Sequence, residues 1–317
     1  MLRSMTVINH LGDSLTVELE NPKTSGFQVA GIDGLGPPKA DIFMSNIAAY
    51  DGSVFSSARV DSRNIVIRLV YVGDDIEALR HQSYKFFPTK RNVNLIFKND
   101  SREVQISGYV ESNEVAIFSK MEGSVISVIC PEPWFETIED ILIEQTFSNT
   151  DPLFSFEYYS TIGGTDEFEI RYSDAEVSDD KHIEFSMINP ISSGTIWYDG
   201  DLEVGVTMRL KSLGQPGNIT INNADTREQM VISSSIIQRI TGSAIKFGDE
   251  LFITTMQGRK TARLLRDGTY KNVIAAVDKS SNWFKLSKGA NNFVLSTSSG
   301  TGDIELSMVS KTLYEGI

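Results

Sequence analysis

Apolar and β-branched residues fall in short runs along most of the chain, separated by Gly, Pro, Asn and Asp, which predicts strands rather than helices. Thr6-Val7-Ile8, Leu15 to Leu19 and Ile65 to Tyr71 are three such runs. Val93, Leu95 and Phe97 alternate onto one face, Lys98 to Ser101 make a turn, and Val104 and Ile106 answer across it, so a hairpin is expected here. A second strand pair, Glu114 to Ser119 and Ser124 to Ile129, is joined by Lys120-Met121-Glu122-Gly123. Only one segment has helical spacing. Ile76, Leu79, Ser83 and Phe86 or Phe87 recur every three or four residues, Asp74 or Asp75 can cap the start with Glu77 nearby, and Pro88 ends it.

Cys130-Pro131-Glu132-Pro133-Trp134-Phe135 marks a boundary, because two closely spaced prolines remove amide donors and restrict the residues before them. Beyond it, turn signals recur at Ile162-Gly163-Gly164, Tyr198-Asp199-Gly200, Gln215-Pro216-Gly217, Phe247-Gly248-Asp249 and Arg266-Asp267-Gly268. That spacing suggests a β-sandwich. The stretch from Ser296 to Gly302 predicts a loop before a closing strand, Asp303 to Val309. The expected fold class is therefore mainly β. Residues 1–135 should form a β-sandwich-like domain with one helix and a hairpin, and residues 136–317 a second β-sandwich.

Length agrees with two domains, since 317 residues exceed the roughly 100–200 of an ordinary one. With 40% hydrophobic and 22% charged residues the chain can build cores and is not disordered as a whole. No apolar run approaches the ~18 residues of a membrane-crossing helix, and the N-terminus lacks the apolar stretch of a signal peptide. Cys130 is the only cysteine, so there is no disulfide framework and folding in a reducing cytoplasm is expected. The net charge of −13 disfavours contact with nucleic acid. It is spread unevenly: −3 over residues 1–135, −14 over 136–230 and +4 over 231–317. An acidic middle is either a solvated face or a contact for a basic partner.

The search for chemistry comes back nearly empty. His10, His81 and His182 are dispersed, without the close ligand spacing of a zinc site. Cys130 ends an apolar strand, which predicts a buried, inert thiol. Gly31-Ile32-Asp33-Gly34-Leu35-Gly36 is followed by Pro37 and Pro38, which forbid the helix a phosphate loop needs, so it reads as a turn. Carboxylates abound at Asp166-Glu167, Asp174 to Asp180 and Asp199 to Glu203, but abundance is not a catalytic pair. Asp199-Gly200-Asp201 lacks the remaining ligands of a calcium loop. Trp197, Tyr198, Trp283 and Phe284 could stack on sugars; strand aromatics more often fill a core, and Trp197 and Trp283 are expected there. No catalytic residue, metal site or cofactor is expected. The helix face and the turn after it offer Arg80, Lys85, Lys90 and Arg91, either as a wet surface or as candidate assembly contacts.

Three segments together resemble the distal tail proteins of siphophages. They are Tyr50-Asp51-Gly52-Ser53-Val54-Phe55 with the strand, helix and hairpin after it; Ile129-Cys130-Pro131-Glu132-Pro133-Trp134-Phe135; and Gly217 to Asn223 followed by Gly248 to Ile253 and the Arg266-Asp267-Gly268 turn. The resemblance implies a hexameric ring of N-terminal domains and a galectin-like C-terminal β-sandwich; residues 136–230 depart from it, being long for the approach to that core, and an elaborated or additional subdomain is expected there. It implies a structural, non-enzymatic hub at the virion tail tip, joining the tail tube to the tip or baseplate. Its partners would be copies of itself, the tail tube protein, the tape-measure protein, the tail-tip protein and a receptor-binding protein, with no nucleic acid contact and no membrane insertion. A carbohydrate-binding host-adhesion module, or another tail-tube or contractile-baseplate component, is the alternative.

Overall fold

The structure, a computed structural model, describes residues 1–48, 51–118, 121–138, 141–147, 150–157, 182–188, 191–298 and 304–317. It divides into two units, one of Met1–Ile141 with Gly200–Leu202 and Lys311–Ile317, the other of Leu142–Asp199 with Glu203–Ser310.

The first unit holds β1 (Leu2–Ile8), β2 (Ser14–Glu18), β3 (Phe27–Asp33), β4 (Ala40–Ser45), β5 (Val54–Val60), β6 (Arg63–Tyr71), α1 (Ile76–Phe86), β7 (Asn92–Asn99), β8 (Glu103–Val115), β9 (Gly123–Cys130) and β10 (Phe135–Thr137). Its main sheet is antiparallel along the path β2-β1-β7-β8-β9-β6-β3. Period-two alternation sends Ile65, Ile67, Leu69 and Tyr71 of β6 inward, with Val93, Leu95 and Phe97 of β7 and Ile126 and Val128 of β9. Each such large side chain contributes about 1.5–3 kcal/mol by leaving water. Phe86 and Phe87, at the end of α1, close the same core. The Asp75 carboxylate caps α1 by accepting from the Ala78 amide at 2.9 Å.

The two expected strand pairs share one long strand, β8, which pairs with β7 through Glu103–Tyr109 and with β9 through Tyr109–Val115. The polar run Glu111-Ser112-Asn113 had concealed this continuity. Gly108 allows the sheet to close tightly here: a Cβ would lie 2.7 Å from Val128 Cγ1 and 2.8 Å from Cys130 Sγ. After the prolines the chain does not leave the unit. Phe135–Thr137 forms β10, which pairs with β8 and with the terminal strand Leu313–Tyr314.

The second unit holds β11 (Ile141–Phe147), β12 (Thr150–Glu157), β13 (His182–Ile188), β14 (Ile191–Tyr198), β15 (Val204–Gly205), β16 (Thr207–Ser212), β17 (Ile219–Asn223), β18 (Glu228–Ile232), α2 (Ser234–Thr241), β19 (Glu250–Thr254), β20 (Thr261–Arg266), β21 (Thr269–Asn272), β22 (Lys285–Leu286), β23 (Gly289–Thr297) and β24 (Ile304–Ser310). A six-stranded sheet, β11-β24-β16-β19-β20-β21, and a four-stranded sheet, β14-β23-β17-β18, supply the inward residues. Met208, Leu210, Leu251, Ile253, Leu306 and Met308 come from the first, and Ile196, Ile221, Phe293 and Leu295 from the second. Asp267 and Gly268, both at positive φ, make the tight turn between β20 and β21, as an Asp-Gly pair does in a two-residue hairpin.

Candidate assembly surface

Strands β4 and β5 leave the main sheet of the first unit and pair only with each other. Every residue of this two-stranded arm except Val60 is exposed. Ile42, Phe43 and Met44 on one strand and Val54 and Phe55 on the other are large apolar side chains, and Phe55 is 60% exposed. Ile42, Phe43 and Met44 are consecutive, so alternation puts apolar groups on both faces and leaves neither face purely polar. An isolated two-stranded ribbon is marginal in water, and clustered exposed apolar groups mark interaction surfaces. Sequence reasoning missed the arm because its apolar residues do not alternate with polar ones; the signal present was the apolar pair of runs around Asp51-Gly52-Ser53.

The root of the arm is fixed by one buried cation. Arg63, 3% exposed, opens β6 where the arm rejoins the sheet. Its Nε donates to Pro133 O at 2.6 Å, its Nη1 to Gly34 O at 2.7 Å and Gly36 O at 2.8 Å, and its Nη2 to Glu315 O at 2.6 Å. The guanidinium lies over the Phe135 ring, 4.5 Å from its centroid. Four carbonyl dipoles and an aromatic face replace water around this charge. Burial pushes the Arg63 pKa down, partly opposed by the Cys130 and Glu315 fields. Gly34, at φ 88°, turns the chain out toward the arm; a Cβ there would sit 2.3 Å from Asn64 O. The glycine run 31–36 is thus the end of β3 followed by a turn.

Of the four cations singled out in the sequence, two are engaged within the unit. Arg80 Nη2 donates to Glu122 Oε2 at 2.9 Å in a half-buried pair. Lys85 Nζ lies 2.8 Å from Asp13 Oδ2 and over the Phe86 ring. Asp13 is held below the ordinary carboxylate range by its hydrogen bond to Lys85 and that cation's field. Lys90 and Arg91 follow α1 with exposed side chains, while their amides bond Val110 O at 2.8 Å and Pro88 O at 3.3 Å.

The chemical candidates are dispersed. Cys130 is fully buried, and burial pushes its thiol up to about 12, so it is a poor nucleophile. His10 is exposed, and His81 Nε2 is 3.8 Å from Glu77 Oε1. Among the described residues no three His, Cys, Asp or Glu side chains gather as metal ligands. Asp166-Glu167, the Asp174 to Asp180 run and the Ile162-Gly163-Gly164 turn lie outside the described residues.

The aromatic expectation needs correcting at Trp197. Tyr198 and Phe284 are buried, Phe284 against Phe293 with centroids 5.3 Å apart. Trp283 is half-buried beneath Lys260 Nζ, 5.4 Å from its ring centroid. Trp197, expected in the core, is 70% exposed. In β14 the inward positions belong to Ile196 and Tyr198, opposite Asn291 and Gly289 of the neighbouring strand, so period-two alternation turns Trp197 between them outward, opposite Ala290.

No protein-family model and no curated protein matches this chain. Solved structures do. The crystal structure of the SPP1 Dit protein, a paradigm of the hub adsorption apparatus in phages infecting Gram-positive bacteria, superposes with a TM-score of 0.60 at 12% identity, covering 97% of this chain and 98% of that one. Chains of the phage p2 baseplate in its activated conformation, with Sr and with Ca, each match at a TM-score of 0.46 and 14% identity over 98% of this chain and 99% of theirs. The SPP1 Dit likeness spans both units, and the chain therefore has the fold of that phage protein over nearly its whole length.

Proposed function

We propose that this protein is the distal hub of a bacteriophage or prophage tail, a structural and non-enzymatic component that joins the tail tube to the tip or baseplate and so to the host-adsorption apparatus. The observation that carries the reading is the fold shared with SPP1 Dit across 97% of the chain. The apolar arm supports it, because a solitary soluble protein has no use for an uncovered ribbon of this kind. Copies of the chain assemble through the N-terminal part, residues 1–135 with the terminal strand, into a closed hexameric ring at the virion tail tip. The galectin-like part within 136–317 faces the neighbouring proteins, and its acidic stretch keeps the assembly soluble. The tail tube, tape-measure and tail-tip proteins, with a receptor-binding protein, are the partners in this reading.

Light scattering behind size exclusion is expected to give about six times the chain mass, and micrographs to show rings. A chain that stays single at every concentration overturns the reading; dissociation on dilution alone follows from mass action.

A second reading, carbohydrate binding by the second unit, is favoured by one observation, the exposed indole of Trp197. Thr195 Oγ1 pairs with Asn292 Oδ1 at 2.6 Å, and Asn292 donates to Asp225 through its amide N–H at 2.6 Å and its side-chain Nδ2 at 3.0 Å. Those polar groups satisfy each other, which leaves few donors for a sugar beside the ring. Trp197→Ala should change stability by no more than about 0.5 kcal/mol, since the side chain is exposed. It should also abolish no binding on a glycan array. Saturable glycan binding lost in that variant, with an unchanged melting curve, would promote the carbohydrate reading.

A further inference from the structure

We propose that the β4–β5 arm of one copy docks on the β8–β9 end of the next copy, a head-to-tail contact that deepens and rests on the self-assembly reading above. Two groups of exposed apolar side chains mark the first unit. One is the arm, with Ile42, Phe43, Met44, Val54 and Phe55. The other is the end of the β8–β9 hairpin, with Ile117, Phe118 and Met121, and Val125 on the following strand; Phe118 has no cover at all.

Strand pairing sets these two groups apart. The arm springs from the Asp33 end of β3 and returns at Arg63, which pairs with Cys130 of β9. The β8–β9 turn lies at the other end of the same strands, where Val70 pairs with Gly123 and the Tyr71 amide donates to Glu122 O at 2.9 Å. Strand β6 runs nine residues between them, about 30 Å at the rise of a β-strand. The arm root and the β8–β9 end of one chain are thus a strand length apart, and a surface at one end meets its match on another molecule. A contact between different patches of identical chains is heterologous, which is the kind that closes into rings or runs on into filaments.

The receiving end is suited to a ribbon. Past Tyr109, where β7 has ended, β9 is the strand that pairs with β8; the Val110 backbone still exchanges hydrogen bonds with Lys90 and Arg91, and the outer edge along 111–115 is left without a paired strand. A two-stranded arm carries open edges of its own, and adding a strand to a sheet edge supplies backbone hydrogen bonds while side chains give selectivity. Two of the cations that border these surfaces are paired at home. Arg59 Nη2 is 2.9 Å from Asp61 Oδ1 beside the arm, and Arg80 Nη2 is 2.9 Å from Glu122 Oε2 beside the hairpin end. Each surface offers the other a group of exposed apolar side chains. This gives Arg80 a role that its paired state otherwise hides, namely to neutralise Glu122 at the contact.

Two exposed-site variants test the contact, Phe55→Glu on the arm and Phe118→Glu on the receiving end, with melting curves run alongside. Each alone should drop from the multimer to a single chain. Mixed one to one, they should form a dimer and nothing larger, because the intact arm of the Phe118→Glu chain meets the intact receiving end of the Phe55→Glu chain and both remaining surfaces are spoiled. Separate Phe55→Cys and Phe118→Cys chains, mixed and treated with a short bis-maleimide, should crosslink to each other and not to themselves; this reading does not depend on the glutamate variants folding, and buried Cys130 does not compete. Rings that survive Phe118→Glu but not Phe55→Glu would overturn the proposal in favour of arm-to-arm or other contacts. Rings that survive Phe55→Glu would assign the arm to a different protein. Both outcomes leave the self-assembly reading standing, whereas a wild-type chain that never multimerises removes the two together.

Discussion

Arg63→Met is expected to destabilise the first unit by about 3–5 kcal/mol, the range for stripping a buried charged donor from partners that cannot reach water. Methionine replaces the aliphatic stem but leaves Pro133 O, Gly34 O, Gly36 O and Glu315 O without the guanidinium. The melting temperature should fall by roughly 6–20 °C for a unit of this size. Arg63→Lys should recover little, because one ammonium cannot span four carbonyls lying around a planar fork. Deleting residues 315–317 should cost less, since it removes the Glu315 acceptor and the 3.1 Å bond from the Ile317 amide to Leu35 O but spares the other three. In Arg63→Met, amide exchange should show the Ile317 amide, which donates to Leu35 O, losing protection first. An Arg63→Met protein melting within about 2 °C of wild type would mean that the turn finds other donors.

How far the sequence carried depends on whether a side chain's neighbours are near in the chain. The helix over 76–86 was legible from local spacing and a cap, and both are where they were expected. The β7–β8 hairpin was legible because a regular alternation announces one buried face. The arm was not, because a strand with apolar residues on both faces and no core beneath it has no periodic signature. Arg63 was equally silent. A lone arginine opening a β-branched strand reads as a surface residue, and the four carbonyls that bury it come from 34–36, Pro133 and Glu315. Trp197 was misread for a related reason: aromatic identity says core, but strand position decides which side a residue faces, and that position is set by pairing with β23, far along the chain.

The second unit carries its own buried charge pair, and acid should find it. Asp249 is 2% exposed, and Arg266 bonds it with Nε at 2.9 Å and through Nη2 in a second contact. The same guanidinium donates to Thr241 Oγ1 at 3.1 Å, Ser243 Oγ at 2.5 Å and Ala244 O at 2.8 Å, so it ties the end of α2 to the β19 and β20 turns. Burial by itself would raise the Asp249 pKa; the hydrogen bonds from Arg266 and the Lys246 amide outweigh it and hold the carboxyl below its ordinary 3.8. A carboxylate with a depressed folded pKa stabilises the fold at every pH above its unfolded value and loses that contribution as pH falls through the folded one. Unit 2 should therefore melt at a constant temperature above about pH 5 on this account and weaken progressively below about pH 4. Asp249→Asn should cost about 3 kcal/mol at neutral pH, because it strands the cation among neutral acceptors. The variant should also lose less stability than wild type on acidification, since the group that titrates is gone. Melting curves recorded from neutral to acid pH for both proteins decide the matter. Parallel slopes would assign the acid sensitivity to other carboxylates, and the Asp249–Arg266 pair would then be a neutral-pH fastening only.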